Sequence, residues 1–320
     1  MQKNADGKKL IGILVADIHL SVNPPLWRSA EPDWFAAMDR PLSTIRHLQQ
    51  ENDCYVFCAG DLFDLWYGAD GKRAAELVNF AMKKIPKKFV SIPGQHDMPL
   101  HNYKDIEKSV YWTLVQAGSI LNVPPKEPIY LSDINTEVYA FPYGTKVVPL
   151  NLDKHDEDRN HIALIHEYLW KGQARFEGAP ASALLTPMKA CQYNGYDLVV
   201  VGDNHIGFMA HRSSTTYTTI FNCGSLIRRK LDERYYRPQI GLLYEDGSVK
   251  PYDLSTGKDK YIEVQSKKAR EVLFNMKGFI EELERLGRTD LDFRDAVKQF
   301  LKKEKVKRSI RNIILEAMET

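Results

Sequence analysis

Five short apolar runs in this 320-residue chain each end in side chains that bind metal ions or move protons. Leu10 to Ala16 leads into Asp17-Ile18-His19, Cys54 to Ala59 into Gly60-Asp61-Leu62-Phe63-Asp64, and Phe89 to Pro93 into Gly94-Gln95-His96-Asp97. His161 to Ile165 ends at His166, and Asp197 to Val201 runs into Gly202-Asp203-Asn204-His205. Taken singly, each has an ordinary reading as a turn, a cap or a hydrogen-bonded core histidine. Five together point elsewhere, because the carboxyl ends of strands in α/β sheets converge on the ligand crevice. The glycines at 60, 94 and 202 permit the sharp turns that bring short side chains up to a compact site.

Imidazoles, carboxylates and one amide oxygen, with no thiolate, suit hard or borderline divalent ions: manganese, iron or zinc, with magnesium also compatible, rather than copper or an iron–sulfur cluster. The ligands are too many for one ion. Two ions roughly 3.5 to 4 Å apart, sharing a carboxylate, would polarise a phosphate and activate a water. Phosphoester hydrolysis is the chemistry this set implies.

The elements that must position these groups are legible as an alternation. Phe35 to Gln50 carries Phe35, Met38, Leu42, Ile45 and Leu48 at helical spacing, with Pro41 a point of kinking. Arg73 to Lys84, Asp105 to Ala117 and Ser182 to Gln192 read as helices too, so strands joined by helical crossovers are expected. Pro128 to Gly144 and Thr215 to Leu254 switch to strands separated by tight turns, which suggests antiparallel strands at sheet edges. Beyond Ser255-Thr256-Gly257-Lys258 the pattern turns helical, placing a boundary near residue 262. Three amphipathic stripes follow, the last overlapping a run from Lys298 to Arg311 with seven basic residues against Glu304. That run is either a solvated helical face or a surface for a phosphate backbone or a partner.

Bulk properties narrow the class. Apolar residues at 43% and charged residues at 27% exclude a disordered or fibrous chain. A formal charge of +2 gives no general affinity for nucleic acid. Cys54, Cys58, Cys191 and Cys223 form no CxxC pair, the amino-terminal residues lack the apolar core of a signal peptide, and no apolar stretch approaches a membrane span. A soluble cytoplasmic protein with reduced cysteines and no membrane association is expected.

In the order Asp-x-His, Gly-Asp-x-x-Asp, Gly-Gln-His-Asp, a lone His and Gly-Asp-x-His, the five blocks resemble the calcineurin-like metallophosphoesterases, over residues 17 to 205. The wording DIHLS, AGDLFD and PGQHD, with Asn222-Cys223-Gly224-Ser225-Leu226, is most similar to SbcD-type DNA repair nuclease subunits and their phage-encoded relatives. The resemblance implies an α/β fold: a metallophosphoesterase β-sandwich flanked by helices (αββα) at 1–262, with a helical carboxy-terminal tail at 263–320. It implies that Asp17, His19 and His205 hold the first ion, Asp61 bridges, and Gln95, His166 and Asp203 hold the second. His96 becomes the acid that contacts the scissile phosphate, Asp97 its orienting neighbour, and Asp64 an outer support.

Two positions depart from the family's pattern. Gln95 stands where Asn is usual and Asp203 where His is usual, both on the same ion; the two changes are expected to adjust to each other. A third carboxylate should favour manganese over zinc. The resemblance further implies a manganese-dependent DNA nuclease in repair, recombination or phage DNA processing, of exonuclease or endonuclease type, beside an SbcC-type coiled-coil ATPase docked by the tail, and a homodimer is compatible. Arg228, Arg229, Lys230 and Arg234, with Trp27, Trp34, Trp66 and Tyr67, are candidates for nucleic-acid contact. The alternatives are a small-molecule phosphatase or phosphodiesterase on the same site, and a non-catalytic scaffold subunit.

Overall fold

Strand β1 (Leu10–Val15) is buried along its whole length, as a strand covered on both faces must be. Ile13 and Val15 point to one apolar layer, while Ile11 and Leu14 point to another. The computed structural model describes residues 7–69, 73–151, 158–176, 178–213, 217–230 and 232–262. The helical region expected at 263–320, its basic run included, lies outside the described residues.

Helix α1 (Trp34–Asn52) starts where the Asp33 carboxylate accepts the Ala36 N–H at 3.0 Å, and stops at Asp53 in the left-handed region. It continues through Pro41 as one element and buries Trp34, Ala37, Met38, Leu42, Ile45 and Leu48. β2 (Tyr55–Cys58), α2 (Ala74–Lys84), β3 (Phe89–Ser91), α3 (Val110–Gln116) and β4 (Leu121–Asn122) follow. Next come β5 (Ile129–Leu131), β6 (Thr136–Phe141), β7 (Asn160–His166), β8 (Leu198–Gly202), β9 (Ile206–Ser213), β10 (Tyr217–Gly224), β11 (Gln239–Tyr244) and β12 (Val249–Asp253).

The described residues form two six-stranded sheets, ordered β12-β11-β1-β2-β3-β4 and β5-β6-β7-β8-β10-β9. Side chains from both, among them Leu14, Phe57, Val90, Leu164, Val200 and Phe221, share the apolar layer between them. α1, α2 and α3 pack on the outer face of the first sheet, through Met38, Leu77 and Leu114 among others. The turn-rich segments form the sheet edges as expected: β11 and β12 are antiparallel beside β1, β9 is antiparallel to β10, and β5 is antiparallel to β6.

The mixed α/β fold with two sheets is as expected, with one element different. The helix expected over Ser182 to Gln192 is replaced by two 3-10 turns, Ala181–Ala183 and Lys189–Tyr193. Pro187 stands between them and can neither donate a helical hydrogen bond nor leave room for the carbonyl four residues back. Tyr193, Tyr196 and Leu169 cover the second sheet there. Among the described residues no helix is long and apolar enough to cross a membrane.

Candidate metal centre

β1, β2, β3, β7 and β8 all deliver their carboxyl ends to one place, aligned within each sheet by parallel pairing: β1 with β2, β2 with β3, and β7 with β8. The loops leaving them are pinned to one another, Asp17 N–H to Gly60 O at 3.0 Å and His19 N–H to Asp61 O at 3.0 Å. Asp17, His19, Asp61 and Asp203 all take left-handed backbone angles, φ of 51°, 51°, 53° and 83°. Such strain in non-glycine residues concentrates at functional sites. Gly60, at φ +96°, sits where a Cβ would lie 2.4 Å from His166 Nδ1. At Gly94 a Cβ would come within 2.1 Å of Asp61 Oδ1, so both positions must be glycine for the loops to approach.

Five of the seven expected ligands fall into two overlapping groups. On one side His19 Nε2 and His205 Nε2 are 3.1 Å apart. Two imidazole lone pairs at that distance repel unless a proton or a cation stands between them. Asp17, His19 and His205 together can present ligand atoms to one ion. On the other side His166 Nδ1 donates to Ala59 O at 2.6 Å, which fixes the tautomer and turns the bare Nε2 towards Asp61 Oδ2 at 3.4 Å. Asp17, Asp61 and His166 form that second group.

Asp17 is common to both groups, and Asp61 lies between their histidines. Asp61 Oδ1 accepts the His96 N–H at 2.9 Å, while Oδ2 faces His166 on one side and His19 Nε2, at 3.8 Å, on the other. Asp61 Oδ2, His166 Nε2, His19 Nδ1 and Gln95 Oε1 are buried without a hydrogen-bond partner among the described residues. Buried polar atoms are almost always satisfied. Four orphans in one cluster, all able to ligate or to support a ligand, fit a pair of divalent cations. Gln95 Nε2 donates to Asp203 Oδ1 at 2.7 Å, so the two departures from the family's pattern are in direct contact.

The electrostatics agree. Burial lifts the Asp17 carboxyl to about 7, against the pull of His205 and His166. Burial would raise Asp61 too, but His166 and His19 outweigh it and hold Asp61 below the usual carboxylate range. Burial drives His19 well down, whereas for His166 the burial penalty is overcome by Asp61 and the group rises to about 10. A cluster that must neutralise some groups and charge others to coexist is one that cations would complete.

His96 lies at the partly exposed rim. Its Nδ1 donates to the Asp64 carbonyl at 2.8 Å, and its ring meets His19 edge-on at 5.0 Å between centroids. Asp97 does not orient it, which corrects the expectation. Its buried carboxylate instead accepts N–H groups from Leu62, Phe63 and Gly94 at 3.1, 2.9 and 3.0 Å, tying the second loop to the third. Its backbone donors are why it points away from the imidazole. Asp64, the expected outer support, has Oδ1 3.7 Å from His19 Nδ1.

The basic residues proposed for nucleic-acid contact divide. Arg228 is buried and directs its guanidinium to Asp259 at 2.9 Å and to the carbonyls of Arg234 and Thr256, so it belongs to the scaffold. Arg229 grips Asp64 through two contacts of 2.6 Å. Lys230 and Arg234 are exposed. Trp34 is a core residue that donates to Ser21 O, Trp27 is half-buried, and Trp66 and Tyr67, also half-buried, meet edge to face at 5.2 Å between centroids. Glu233 went unrecognised in the sequence: buried, its Oε1 lies 3.4 Å from His205 Nδ1. An acidic residue inside a basic run gave no signal of this. Burial would raise its carboxyl, but His205 and the N–H groups of Arg229 and Lys230 prevail and hold it low.

Solved structures distant in sequence are similar to this chain, and a search of curated proteins finds no match. Haemophilus influenzae NAD nucleotidase aligns at 13% identity with a TM-score of 0.41, covering 84% of this chain and 56% of that one. A 5'-nucleotidase precursor from Thermus thermophilus aligns at 11% identity with a TM-score of 0.46, covering 86% and 59%. The chain therefore spans less than two-thirds of the length of either protein. The sequence model for calcineurin-like phosphoesterases matches residues 13–207, a span that holds every expected metal ligand. The chain belongs to the calcineurin-like phosphoesterase family.

Proposed function

We propose that this phosphoesterase is a two-metal nuclease that hydrolyses phosphodiester bonds in DNA. The carrying observation is His96: a half-exposed ring at the rim of a buried ligand cluster whose Nδ1–H is held by a carbonyl, so that its imidazolium form carries on Nε2 the proton that the alkoxide takes when a diester is cut. The resemblance of the Asp17, Asp61 and His96 motifs to SbcD-type nucleases supports DNA as the diester.

Bound divalent ions would supply Lewis acidity and an activated water. The chain's own groups do the rest. Asp17, His19 and His205 would hold one ion, Gln95, His166 and Asp203 the other, with Asp61 shared. Ala59 O and Asp64 O fix the tautomers of His166 and His96, so neither ring must reorient during turnover. The Gln95 amide holds Asp203 and keeps its own Oε1 for the site. A third carboxylate among oxygen-rich ligands favours manganese over zinc. The same reading gives the tail at 263–320 the docking of an SbcC-type ATPase.

The test is incubation of the whole chain with manganese and labelled linear single- and double-stranded DNA, with His96→Ala and a manganese-free sample as controls. Manganese-dependent cleavage, lost in the variant, supports the nuclease. Intact DNA alongside cleavage of bis-p-nitrophenyl phosphate or nucleotides would replace it with a small-molecule phosphoesterase.

A further inference from the structure

The family model ends at residue 207, yet the segment just beyond β10 reaches back to the histidines of the first ion group. Glu233, in a 3-10 turn (Asp232–Tyr235), is 7% exposed. Its Oε1 lies 3.4 Å from His205 Nδ1, and its Oε2 accepts the N–H groups of Arg229 and Lys230. Arg229 in turn clamps both Asp64 oxygens at 2.6 Å. Asp64 then faces His19 Nδ1 at 3.7 Å and offers its carbonyl to His96 Nδ1. One short segment thus stands behind three histidines through a single chain of contacts.

We infer that Glu233 and Arg229 are positioning residues for the first metal: Glu233 orients His205, and Arg229, by fixing Asp64, orients His19. This inference rests on the two-ion reading of the centre. A carboxylate on Nδ1 holds the proton there, leaves Nε2 as the ligand atom and makes the imidazole a stronger donor. The His19 and His205 Nε2 atoms, 3.1 Å apart, are the pair so aimed. Arg229 is thereby drawn away from a nucleic-acid role, since its guanidinium is committed to Asp64.

The test is manganese binding by the whole chain, followed by calorimetry and by the paramagnetic resonance signature of coupled ions, in wild type, Glu233→Gln and Arg229→Lys. The first substitution confronts the Nδ1 proton of His205 with an amide that is half donor, while the second keeps the charge but loses the two-pronged grip on Asp64. The expected result is two ions in wild type, with one of them weakened about 10- to 100-fold in Glu233→Gln. In that variant the coupled signature gives way to that of an isolated ion, while the second affinity and the metal-free melting temperature stay at wild-type values. Arg229→Lys should shift the same site by less. Wild-type isotherms in both variants, or an equal loss at both sites with a lower metal-free melting temperature, would overturn the positioning role and leave the two-ion centre standing. Fewer than two ions in wild type would instead remove the reading on which it rests.

Discussion

Around Arg28, buried charge is fully answered. Its guanidinium, 1% exposed, meets Glu31 at 2.6 Å and Asp259 at 3.1 Å, between the rings of Trp34 and Tyr261. Arg40 adds contacts of 2.5 Å to Glu31 and 2.8 Å to Asp259, and Arg228 closes the set on Asp259. Around Asp61, equally buried, the polar atoms Asp61 Oδ2, His166 Nε2, Gln95 Oε1 and His19 Nδ1 find no hydrogen-bond partner among the described residues. Leaving such a group unsatisfied costs about 1–3 kcal/mol. The difference separates scaffold from site: the first cluster answers its own charges, tying the segment before α1 to the segment after β12, while the second leaves Asp61 Oδ2, His166 Nε2 and Gln95 Oε1 as atoms that cations would complete.

The comparison can be broken hardest at Asp61. Asp61→Asn removes the charge shared by both ligand groups, and both ions should be lost, with activity falling below that of any other single variant; bound metal measured after dialysis checks this. His96→Ala should cost about 10²- to 10⁴-fold in turnover while keeping both ions, because the imidazole acts on the leaving group; steady-state kinetics on a diester with parallel metal analysis separates the two effects.

The self-completed cluster should respond in the opposite way. Glu31→Gln leaves Arg28 and Arg40 short of a carboxylate and should destabilise the fold by about 3–5 kcal/mol without altering metal stoichiometry. Burial would raise the Glu31 carboxyl, but hydrogen bonds from Arg40 and Arg28 outweigh it, so its folded value lies below 4.5. A group depressed on folding stabilises above its unfolded pKa, and that contribution is lost as pH falls through the folded one. Denaturant titrations below pH 4.5 should therefore show a steeper loss in wild type than in Glu31→Gln. The smallest effect sharpens the contrast: manganese at about 100 times its dissociation constant should stabilise wild type by roughly 2.7 kcal/mol and leave Asp61→Asn unmoved, as read by thermal melting.

Much of this was legible because it is local. Apolar runs ending in Asp17, Asp61, His96, His166 and His205 marked strand ends, and parallel pairing then had to bring them together. What escaped notice depends on partners far along the chain. Arg228 reads as a surface cation until Asp259 and the Thr256 carbonyl take it inside. Glu233 reads as a charge in a polar turn until the fold sets it against His205. Asp97 follows His96 directly, yet three N–H groups outcompete the neighbouring imidazole for its oxygens. At 182–192 the apolar spacing suggested a helix, and Pro187 divided it into 3-10 turns.

Anomalous scattering from crystals of the protein soaked in manganese tests the central claim most directly. The account predicts two peaks flanking Asp61 Oδ2, one beside His19 and His205 and the other beside His166 and Gln95. No peak at Asp61, or a single ion held elsewhere in the chain, would contradict it.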